Sequence, residues 1–558
     1  MQNVRKKAIT LERQQRLSVS RLWRLQRNFF DSKGIEAWRA GYVPHHITSN
    51  PFIADAYAKV VFGFLRDCRD SDAVPLDLRQ PVYIVELGSG PGRFAYLFLK
   101  KFLALQRNSV LKNIPIRYVM TDLAERNLEH ARAHPWLQSF VDDGLLDFAR
   151  FDVEQDQQLK LTHSRETICA KDLVNPLIVI ANYVFDGVPQ DAFFVSEGRL
   201  FETLVTLTTP RKEKDPDDPE ILSRLELSYD YNQVNRNYYR DASWNRILLD
   251  YKQRLSQTAF LFPTAALQCV RNLQEVANGR MLLLSGDRGY SEDQSLKQGN
   301  GKPALSLHGS FSMMVDYQII GEYCRQLGAQ VLHPPPPTRH LNISAFMFGD
   351  SPGDFVETRS AYADAIEKFG PDSFFTLKEV VAQIYDVLSL DEILAFLRLS
   401  GWDYRRLWEC LPVLKKHLAD LSEFQKQQLH EAIVKVWDSY LPIGEEIDLA
   451  FELGTFLLEM EFHKEALEFL QRSIELYGRA PGTAYNIAVC YYGLGQTDRA
   501  LDYLHDALSL DPEFAEARDL CAELESKLSK SFASRVQESS LDGVSTVRGS
   551  GWVADRHP

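Results

Sequence analysis

Hydrophobic positions follow two different patterns along the chain, and the change comes near residue 353. Before it, short and almost continuously apolar runs alternate with amphipathic stretches. The runs cover residues 82–85, 116–120, 148–151, 177–181 and 281–284. Such runs are typical of parallel strands that are buried on both faces, and the stretches between them indicate helices. The pattern predicts an α/β fold with a doubly wound, mostly parallel sheet.

From residue 353 onward the strand signals stop and helical periodicity takes over. Two segments within this part repeat with a spacing of 34 residues. The repeated positions are Leu453, Gly454, Leu457, Ala466 and Leu470, which recur as Ile487, Ala488, Tyr491, Ala500 and Leu504. Small residues at fixed places let paired helices approach closely. The repeat resembles the tetratricopeptide repeat, whose stacked helix pairs form an extended surface for peptides or proteins.

A glycine-rich turn follows the first apolar run, in the sequence VYIVELGSGPGRFAY. Its three glycines leave no side chains between the strand and the next helix, an arrangement typical of a nucleotide cradle. Glu86 precedes the first glycine, and its negative charge favours a cationic ligand over a pyrophosphate. This points away from NAD and toward S-adenosyl-L-methionine, whose sulfonium and α-ammonium groups are positive. A purely structural strand–turn–helix is the alternative. The residues predicted here to bind S-adenosyl-L-methionine are Glu86, Gly88, Ser89, Gly90 and Gly92.

Acidic residues follow the next two predicted strands. Asp122 ends the second strand, where a carboxylate can accept both ribose hydroxyls of an adenosine, with helix capping as the alternative. Asp152 follows the third strand, at an edge that commonly faces the adenine, and a simple turn aspartate is the alternative. The predicted cofactor residues at these two places are Asp122, Leu123, Asp152 and Val153.

The fourth strand ends in the sequence NYVFDGVP. Ligands of doubly wound sheets bind beyond the carboxyl ends of the strands, so polar groups here would meet the transferred methyl group. Asn182 is predicted to contact the cofactor as well. His308 could remove a proton if its loop folds over the site, and a loop histidine bonded to the backbone is the alternative. The predicted catalytic residues are Asn182, Tyr183, Asp186 and His308.

Composition narrows the range of functions. A net charge of −13 argues against a general nucleic-acid binder, because affinity for phosphates depends on clustered Lys and Arg. The 7 cysteines are scattered without a C-x-x-C pair. They indicate reduced thiols in an intracellular protein, and no metal site is predicted. No run approaches the roughly 18 apolar residues of a membrane span.

Residues 50–350 resemble the MidA-like family of class I methyltransferases, related to the mitochondrial arginine methyltransferase that aids respiratory complex assembly. The resemblance rests on the motifs ELGSGPGRFAY, NYVFDGVPQDAFF, LLLSGDRGY and HGSFSMMVDY. It implies a Rossmann-like fold with S-adenosyl-L-methionine as cofactor. The family typically has an Asn-Glu pair where this chain has Asn182 and Tyr183, and a carboxylate would be the natural partner of a guanidinium. The resemblance therefore supports the fold and the cofactor more than arginine as the substrate.

These patterns divide the chain into five predicted parts. Residues 1–75 are predicted to form a basic N-terminal helical lid, because Leu22, Leu25 and Phe29 recur at helical spacing. A transit peptide or a membrane-surface helix is the alternative for this basic segment. Residues 76–352 form the methyltransferase domain. The other predicted parts are a helical linker or degenerate repeats at 353–446, tetratricopeptide repeats with a capping helix at 447–529 and a disordered tail at 530–558.

The sequence predicts an S-adenosyl-L-methionine-dependent methyltransferase that acts on a protein substrate recruited by the C-terminal repeats. Two alternatives stay open: a small-molecule methyltransferase whose repeats only mediate assembly, and a non-catalytic scaffold that binds the cofactor. The expected partner is a protein or peptide, without nucleic acid and without a membrane span. The expected location is cytoplasmic.

Overall fold

The computed structural model describes residues 8–43, 46–70, 76–296, 303, 305–349 and 355–542 and contains two compact units. The first unit runs to Cys410 and also includes Lys435–Ile443. The second comprises Leu411–Val434 and the chain from Gly444 onward. Within the described ranges, none of the helices combines the length and the apolar character needed to cross a membrane.

The first unit is built around a mixed sheet of seven strands. In chain order we label them β1 (Val82–Leu87), β2 (Ile116–Asp122), β3 (Leu146–Arg150), β4 (Leu177–Asn182), β5 (Met281–Asp287), β6 (Gln330–Leu332) and β7 (Asn342–Phe348). Their order across the sheet is β6-β7-β5-β4-β1-β2-β3. From β5 to β3 all neighbours are parallel, whereas β7 is antiparallel to β5 and to β6. The carboxyl ends of the parallel strands therefore lie at one edge.

Alternate residues of the central strands enter two separate hydrophobic cores. In β1, Val85 and Leu87 belong to one core and Ile84 belongs to the other. Because successive side chains of a strand point to opposite faces, this double burial explains the continuous apolar runs. The helices Ala242–Arg254, Thr264–Val276 and Tyr317–Gln326 contribute to the first core, and Pro51–Arg69 and Arg93–Arg107 contribute to the second.

Short polar side chains begin several of these helices. Asn50 Oδ1 accepts two backbone N–H bonds at the start of Pro51–Arg69, and Asp316 accepts one at the start of Tyr317–Gln326. Up to residue 403, the other α-helices are Arg21–Lys33, Glu36–Arg39, Glu125–Ala133, Pro135–Asp142, Asp293–Leu296, Val356–Tyr362, Pro371–Ala382 and Leu390–Leu399. From residue 404 on, they are Tyr404–His417, Glu423–Asp438, Leu449–Glu459, His463–Tyr477, Pro481–Gly493, Thr497–Leu510 and Ala515–Asp542.

A second sheet in the first unit has five strands: Ile9–Arg16, Asp191–Ser196, Arg199–Thr209, Glu226–Gln233 and Thr258–Phe262. The sequence predicts helical segments from residue 243 to 277, and this is wrong for Thr258–Phe262. That short apolar run pairs antiparallel with Asp191–Ser196. Pro263 directly after it separates the strand from the next helix, because proline has no N–H to donate.

The N-terminal part contains a strand that the predicted helical lid over residues 1–75 does not include. Ile9–Arg16 is mostly exposed and pairs antiparallel with Arg199–Thr209. Pairing of main-chain groups, rather than burial of side chains, decides its conformation, so its side-chain pattern is uninformative. The helix Arg21–Lys33 follows and buries the positions that the periodicity marks, which are Leu22, Leu25 and Phe29.

A buried arginine fixes Lys435–Ile443 against the helix that follows the glycine turn. Arg93 is only 2% exposed. Its guanidinium donates to Leu441 O at 2.7 Å and to Tyr404 Oη at 3.0 Å, and it lies over the rings of Tyr404 and Tyr440. A charge that has lost its hydration needs such partners. Arg93 and Lys435–Ile443 therefore depend on each other.

The second unit consists of paired helices that include the predicted repeats. Leu449–Glu459 packs on His463–Tyr477, and Pro481–Gly493 packs on Thr497–Leu510. The approach is close at Gly454, where a Cβ would lie 2.8 Å from Leu470 Cγ. The last helix, Ala515–Asp542, continues past residue 529 and covers the start of the predicted tail, whereas residues 543–558 lie outside the described residues.

Replacing Arg93 by methionine should loosen Lys435–Ile443, because the buried carbonyl of Leu441 would lose its donor. An unsatisfied buried acceptor costs about 1–3 kcal/mol, so the amides of this segment should exchange hydrogen roughly five- to a hundredfold faster. Hydrogen exchange read by mass spectrometry measures this directly. Arg107→Met, at the exposed end of the same helix, is the matched control. Unchanged protection in Arg93→Met would contradict the anchoring role.

Candidate functional site

A cleft of about 220 Å³ lies at the carboxyl ends of β1 to β4. Gly88 follows β1, Asp122 ends β2, Asp152 follows β3 and Tyr183 follows β4, and all four line the cleft. The topology thus brings residues that are far apart in the chain to one site. Further lining residues come from the N-terminal segment and include Gln26, Arg27, Phe30, Asp31, Trp38 and Val43.

The glycine turn is packed closely against its neighbours. Gly90 has a φ of +50°, and a Cβ there would lie 2.9 Å from Trp38 Cζ2. Gly92 has a φ of +79°, and its Cβ would lie 2.9 Å from Met120 Cε. Only glycine combines this left-handed backbone with such close approach without strain. Of the predicted turn residues, Gly88 lines the cleft, whereas Ser89, Gly90 and Gly92 lie behind its lining.

Glu86 is buried beneath the turn, and the structure does not bring it into the lining of the cleft. It is 4% exposed, and its carboxylate accepts a hydrogen bond from Tyr118 Oη at 3.0 Å. Burial, with a further contribution from the charge of Asp122, raises the pKa of Glu86 to about 8, although the Tyr118 hydrogen bond opposes the shift. Glu86 can therefore affect a ligand only indirectly, through the residues of the glycine turn.

Asp122 is held at the cleft by three donors. Its Oδ2 accepts from Gly90 N at 3.0 Å, and its Oδ1 accepts from Ala124 N at 2.9 Å and from Asn127 Nδ2 at 3.2 Å. The Ala124 contact is of the capping type that the sequence leaves open. Burial raises the pKa of Asp122 to about 6 against these hydrogen bonds. The carboxylate lines the cleft beside Leu123 and retains lone pairs for further donors.

Asp152 pairs with a cation from the N-terminal helix. Arg27 Nη1 lies 2.9 Å from Asp152 Oδ2, Arg27 Nη2 lies 3.1 Å from Oδ1, and the same guanidinium contacts Glu154. Burial opposes ionisation, but the hydrogen bonds from Arg27 hold the pKa of Asp152 below its ordinary value. This bidentate pair fastens Arg21–Lys33 beside Val153, which also lines the cleft.

The backbone is strained where β4 ends. Tyr183 lines the cleft with a φ of +51°, which is uncommon for a bulky residue, and its N–H donates to Gly286 O at 2.9 Å. Asn182 lies behind it and accepts from Tyr57 Oη at 2.7 Å. Among the described residues, Asn182 Nδ2 has no acceptor although it is buried. Strain and an unused donor next to a cleft are features of functional sites.

A pair of buried carboxyl groups, which we call the carboxyl pair, consists of Asp186 and Asp287. Asp186 is 7% exposed and lines the cleft, whereas Asp287 ends β5 and is 0% exposed. The two carboxyl groups lie close enough for each to shift the pKa of the other, and Tyr317 Oη donates to Asp287 Oδ2 at 3.0 Å. Burial raises the pKa of Asp186 to about 7 and that of Asp287 well above its ordinary value, where the charge of Asp186 is the second cause.

Sequence reasoning missed several residues of the site. From its place after the last central strand, Asp287 is predicted to be able to reach the pocket, with turn formation as the alternative, but it is not among the predicted catalytic residues and its contact with Asp186 is not predicted. The N-terminal contributors Arg27, Phe30 and Trp38 were missed because helical spacing identifies the buried face of a helix but not the surface that the helix covers. Their signal was the concentration of basic and aromatic residues in one segment.

The structure does not position every predicted residue. The backbone of His308 belongs to the strand Leu305–His308, but its side chain lies outside the described residues. No metal site is predicted from the sequence. Among the described residues, the one group with metal-ligand spacing is His505, Cys521 and Glu525 in the second unit. There, His505 Nε2 lies 3.5 Å from Glu525 Oε1, an ion pair when the histidine is protonated.

Two family models match the chain. Residues 73–316 match the model described as "Putative S-adenosyl-L-methionine-dependent methyltransferase", and residues 446–513 match the model of the tetratricopeptide repeat. The first match contains β1 to β5 and the carboxyl pair. The cofactor of this family is S-adenosyl-L-methionine, in agreement with the sequence prediction. No curated protein matches the chain.

Solved structures resemble the chain at low identity. An uncharacterized protein from Burkholderia thailandensis is 12% identical with a TM-score of 0.36, over 58% of this chain and 86% of its own. A second structure from that organism, of a likely methyl transferase bound to S-adenosyl-homocysteine, is 13% identical with a TM-score of 0.36, over 61% of this chain and 96% of its own. MamA from Desulfovibrio magneticus RS-1 is 18% identical with a TM-score of 0.24, over 30% and 93%.

The two family models agree with the motifs of the sequence. The model of residues 73–316 agrees with the MidA-like resemblance of the glycine turn and the later motifs, and the model of residues 446–513 agrees with the repeat. The chain therefore combines a region that matches the family described as "Putative S-adenosyl-L-methionine-dependent methyltransferase" with a region that matches the tetratricopeptide repeat.

Proposed function

We propose that the protein is an enzyme that transfers a methyl group from S-adenosyl-L-methionine to a protein acceptor, which the C-terminal repeats recruit. The observation that carries this proposal is the cleft itself. It joins the predicted cofactor residues Asp122 and Asp152 to the predicted catalytic residues Tyr183 and Asp186. We also propose that the parallel part of the sheet acts as a doubly wound, Rossmann-like cofactor fold.

The side chains of the cleft fit this cofactor. Asp122 offers carboxylate oxygens for ribose hydroxyls, and Leu123 and Val153 offer apolar contacts for an adenine. Phe30 and Trp38 add aromatic rings that lie 5.9 Å apart between centroids and line the same space. Ser89 stays a predicted cofactor residue, and its Oγ is buried behind the lining with no partner among the described residues. Together these groups suit a nucleoside with free hydroxyls.

At the other end of the cleft, the chemistry of the side chains suits methyl transfer. The cofactor supplies a methyl group that a positive sulfonium has already activated, so alignment and exclusion of water account for much of the catalysis. The negative charge of the carboxyl pair favours a cation here. Tyr183 and Asp186 face the cleft and orient the acceptor, with Asn182 behind them. His308 stays a predicted catalytic residue.

The repeats support a protein acceptor rather than a small one. Helical repeats present an extended surface for a polypeptide, and among the described residues none from the repeats lines the cleft. The predicted boundaries at residues 75, 352, 446 and 529 stay proposals. We further propose a cytoplasmic location, which the 7 free cysteines support.

Asp122→Ala should weaken the binding of S-adenosyl-L-methionine about ten- to a hundredfold, because a charge-assisted hydrogen bond to the ribose contributes about 1.5–3 kcal/mol. Isothermal titration calorimetry with the full chain measures the dissociation constant. Asp143→Ala is the control, because Asp143 is exposed and does not line the cleft. Equal affinity of Asp122→Ala and wild type would exclude the ribose contact.

Arg27→Ala should release the N-terminal helix from Asp152 and Glu154 and so speed the escape of bound cofactor. The pair is partly exposed, with 31% of the Arg27 side chain accessible, so a loss of about 0.5–1 kcal/mol is expected. The dissociation rate in stopped-flow experiments should rise about two- to fivefold. Arg24→Ala, one turn earlier and 53% exposed, is the matched control. An unchanged rate in Arg27→Ala would show that the helix does not retain the cofactor.

Incubation with methyl-labelled cofactor and a cell extract tests the acceptor class. We expect label in protein, and a decrease of about fivefold with Tyr492→Ala, since truncating an exposed aromatic contact costs about 1 kcal/mol or more. Tyr492 is 37% exposed on Pro481–Gly493, and Leu476→Ala, 40% exposed on His463–Tyr477, is the control. Label only in small molecules would favour the assembly role of the repeats. Cofactor binding without any labelling would favour a scaffold.

A further inference from the structure

The carboxyl pair has an unusual position for two acids. Asp186 belongs to the turn after β4 and Asp287 to the end of β5, so the parallel pairing of these strands brings the two side chains together. Asp287 Oδ1 is buried and has no N–H or O–H donor among the described residues. A proton held between the two carboxyl groups gives this pair the donor that it lacks.

The hydrogen bonds behind Asp287 keep it in place. Tyr317 Oη donates to Asp287 Oδ2 at 3.0 Å and lies 2.9 Å from Ser285 Oγ. These three residues are buried, and Asp287 does not line the cleft. Asp186 therefore has contact with the cleft on one side and with a fixed carboxyl group on the other.

We propose that the carboxyl pair shares one proton and that Asp186 takes up a second proton from the acceptor atom during methyl transfer. Asp287 is a positioning residue that acts through Asp186. The inference rests on the proposed function and assigns the acceptor to a class, namely a nitrogen or oxygen atom that carries a proton.

The step balances as follows. The bond that forms joins the acceptor nitrogen or oxygen to the methyl carbon, and the bond that breaks joins this carbon to sulfur, which keeps the electron pair. The acceptor proton moves to the pair, which passes from one acid and one carboxylate to two acids. The proton then leaves through Asp186, since only this member of the pair faces the cleft.

Other charged and titratable groups act on the pair from several elements. Tyr317 and Tyr57 belong to helices that pack against the sheet, and Tyr183 and Arg288 follow β4 and β5. The guanidinium of Arg288 favours ionisation of Asp186, and burial disfavours it. The groups that face the pair are Tyr57, Tyr183, Arg288 and Tyr317.

Proton release on ligand binding tests this placement without any acceptor. S-adenosyl-L-methionine carries a positive sulfonium, and S-adenosylhomocysteine is its neutral counterpart. A cation beside the pair lowers its proton affinity, so the first ligand should release roughly half a proton more than the second. Calorimetry of the full chain in two buffers of different ionisation enthalpy counts these protons. A pH of about 6 keeps the amino groups of both ligands protonated.

Asp287→Asn should abolish the difference between the two ligands. Its amide can donate to Asp186, which then stays ionised and has no proton to release. Affinity should change less than about threefold, because Asp287 does not line the cleft. Equal proton release by both ligands in the wild type would overturn this inference but not the proposed function. If neither ligand binds, the proposed function fails, and the inference fails with it.

A stability measurement gives a second readout. The folded pair keeps protons that the unfolded chain loses between about pH 4 and pH 7, so the pair destabilises the fold as pH rises through this range. The melting temperature of Asp287→Asn minus that of the wild type should therefore increase with pH over the same range. No such change would contradict a shared proton.

Asp316→Asn is the matched control for both experiments. Asp316 is 0% exposed, and burial raises its pKa to about 7, but it does not line the cleft. An asparagine keeps the bonds that Oδ1 accepts from Tyr251 Oη and Ile319 N. The variant Asp316→Asn should show the same pH trend in melting temperature, whereas its proton release on ligand binding should equal that of the wild type. If Asp316→Asn also abolished the difference between the ligands, the assignment to the carboxyl pair would be wrong.

Discussion

Desolvation of negative charge at the carboxyl edge of the sheet is the constraint on which the site depends. Glu86, Asp122, Asp186 and Asp287 are all at most 8% exposed there. A buried carboxylate is stable only with a donor, a proton or a cation. Tyr118 Oη donates to Glu86, and backbone and amide N–H groups donate to Asp122. For Asp186 and Asp287 we propose the shared proton. A cationic cofactor would relieve this concentration of charge, and the affinity that we propose for such a ligand would have its physical origin here.

The N-terminal segment shows how a site is completed by a part of the chain that contains no motif. Arg27 pairs with an acid beside the cleft, and Trp38 lies against the backbone of Gly90. The glycine turn is therefore covered by an aromatic ring, and access to it depends on helices outside the sheet. Under the proposed function, cofactor binding and the packing of this segment are energetically coupled, because Arg27 and Trp38 line the cleft and also hold the segment in place.

The central sheet was predictable because strands that are buried on both faces must be apolar throughout. The short, continuous apolar runs at residues 82–85 and 177–181 fit few structures other than such strands. Strands such as Ile9–Arg16 were not predictable, because main-chain pairing with a strand far away in the sequence leaves no pattern in the side chains. At the site, sequence identifies Asp122 and Asp186 by their position after strands. It does not identify the contact between Asp186 and Asp287, which depends on the pairing of β4 with β5 across about a hundred residues of chain.

The contact of Arg93 with Leu441 extends the methyltransferase part beyond the last strand of its sheet. By motif alone that part ends near residue 352, yet Lys435–Ile443 belongs to the same compact unit. A fragment cut after the last strand would leave a guanidinium in an apolar environment with neither its carbonyl acceptor nor its aromatic partners. Replacing the repeats by those of another protein therefore requires that the nine residues 435–443 are kept. These residues must still pack against the helix that follows the glycine turn.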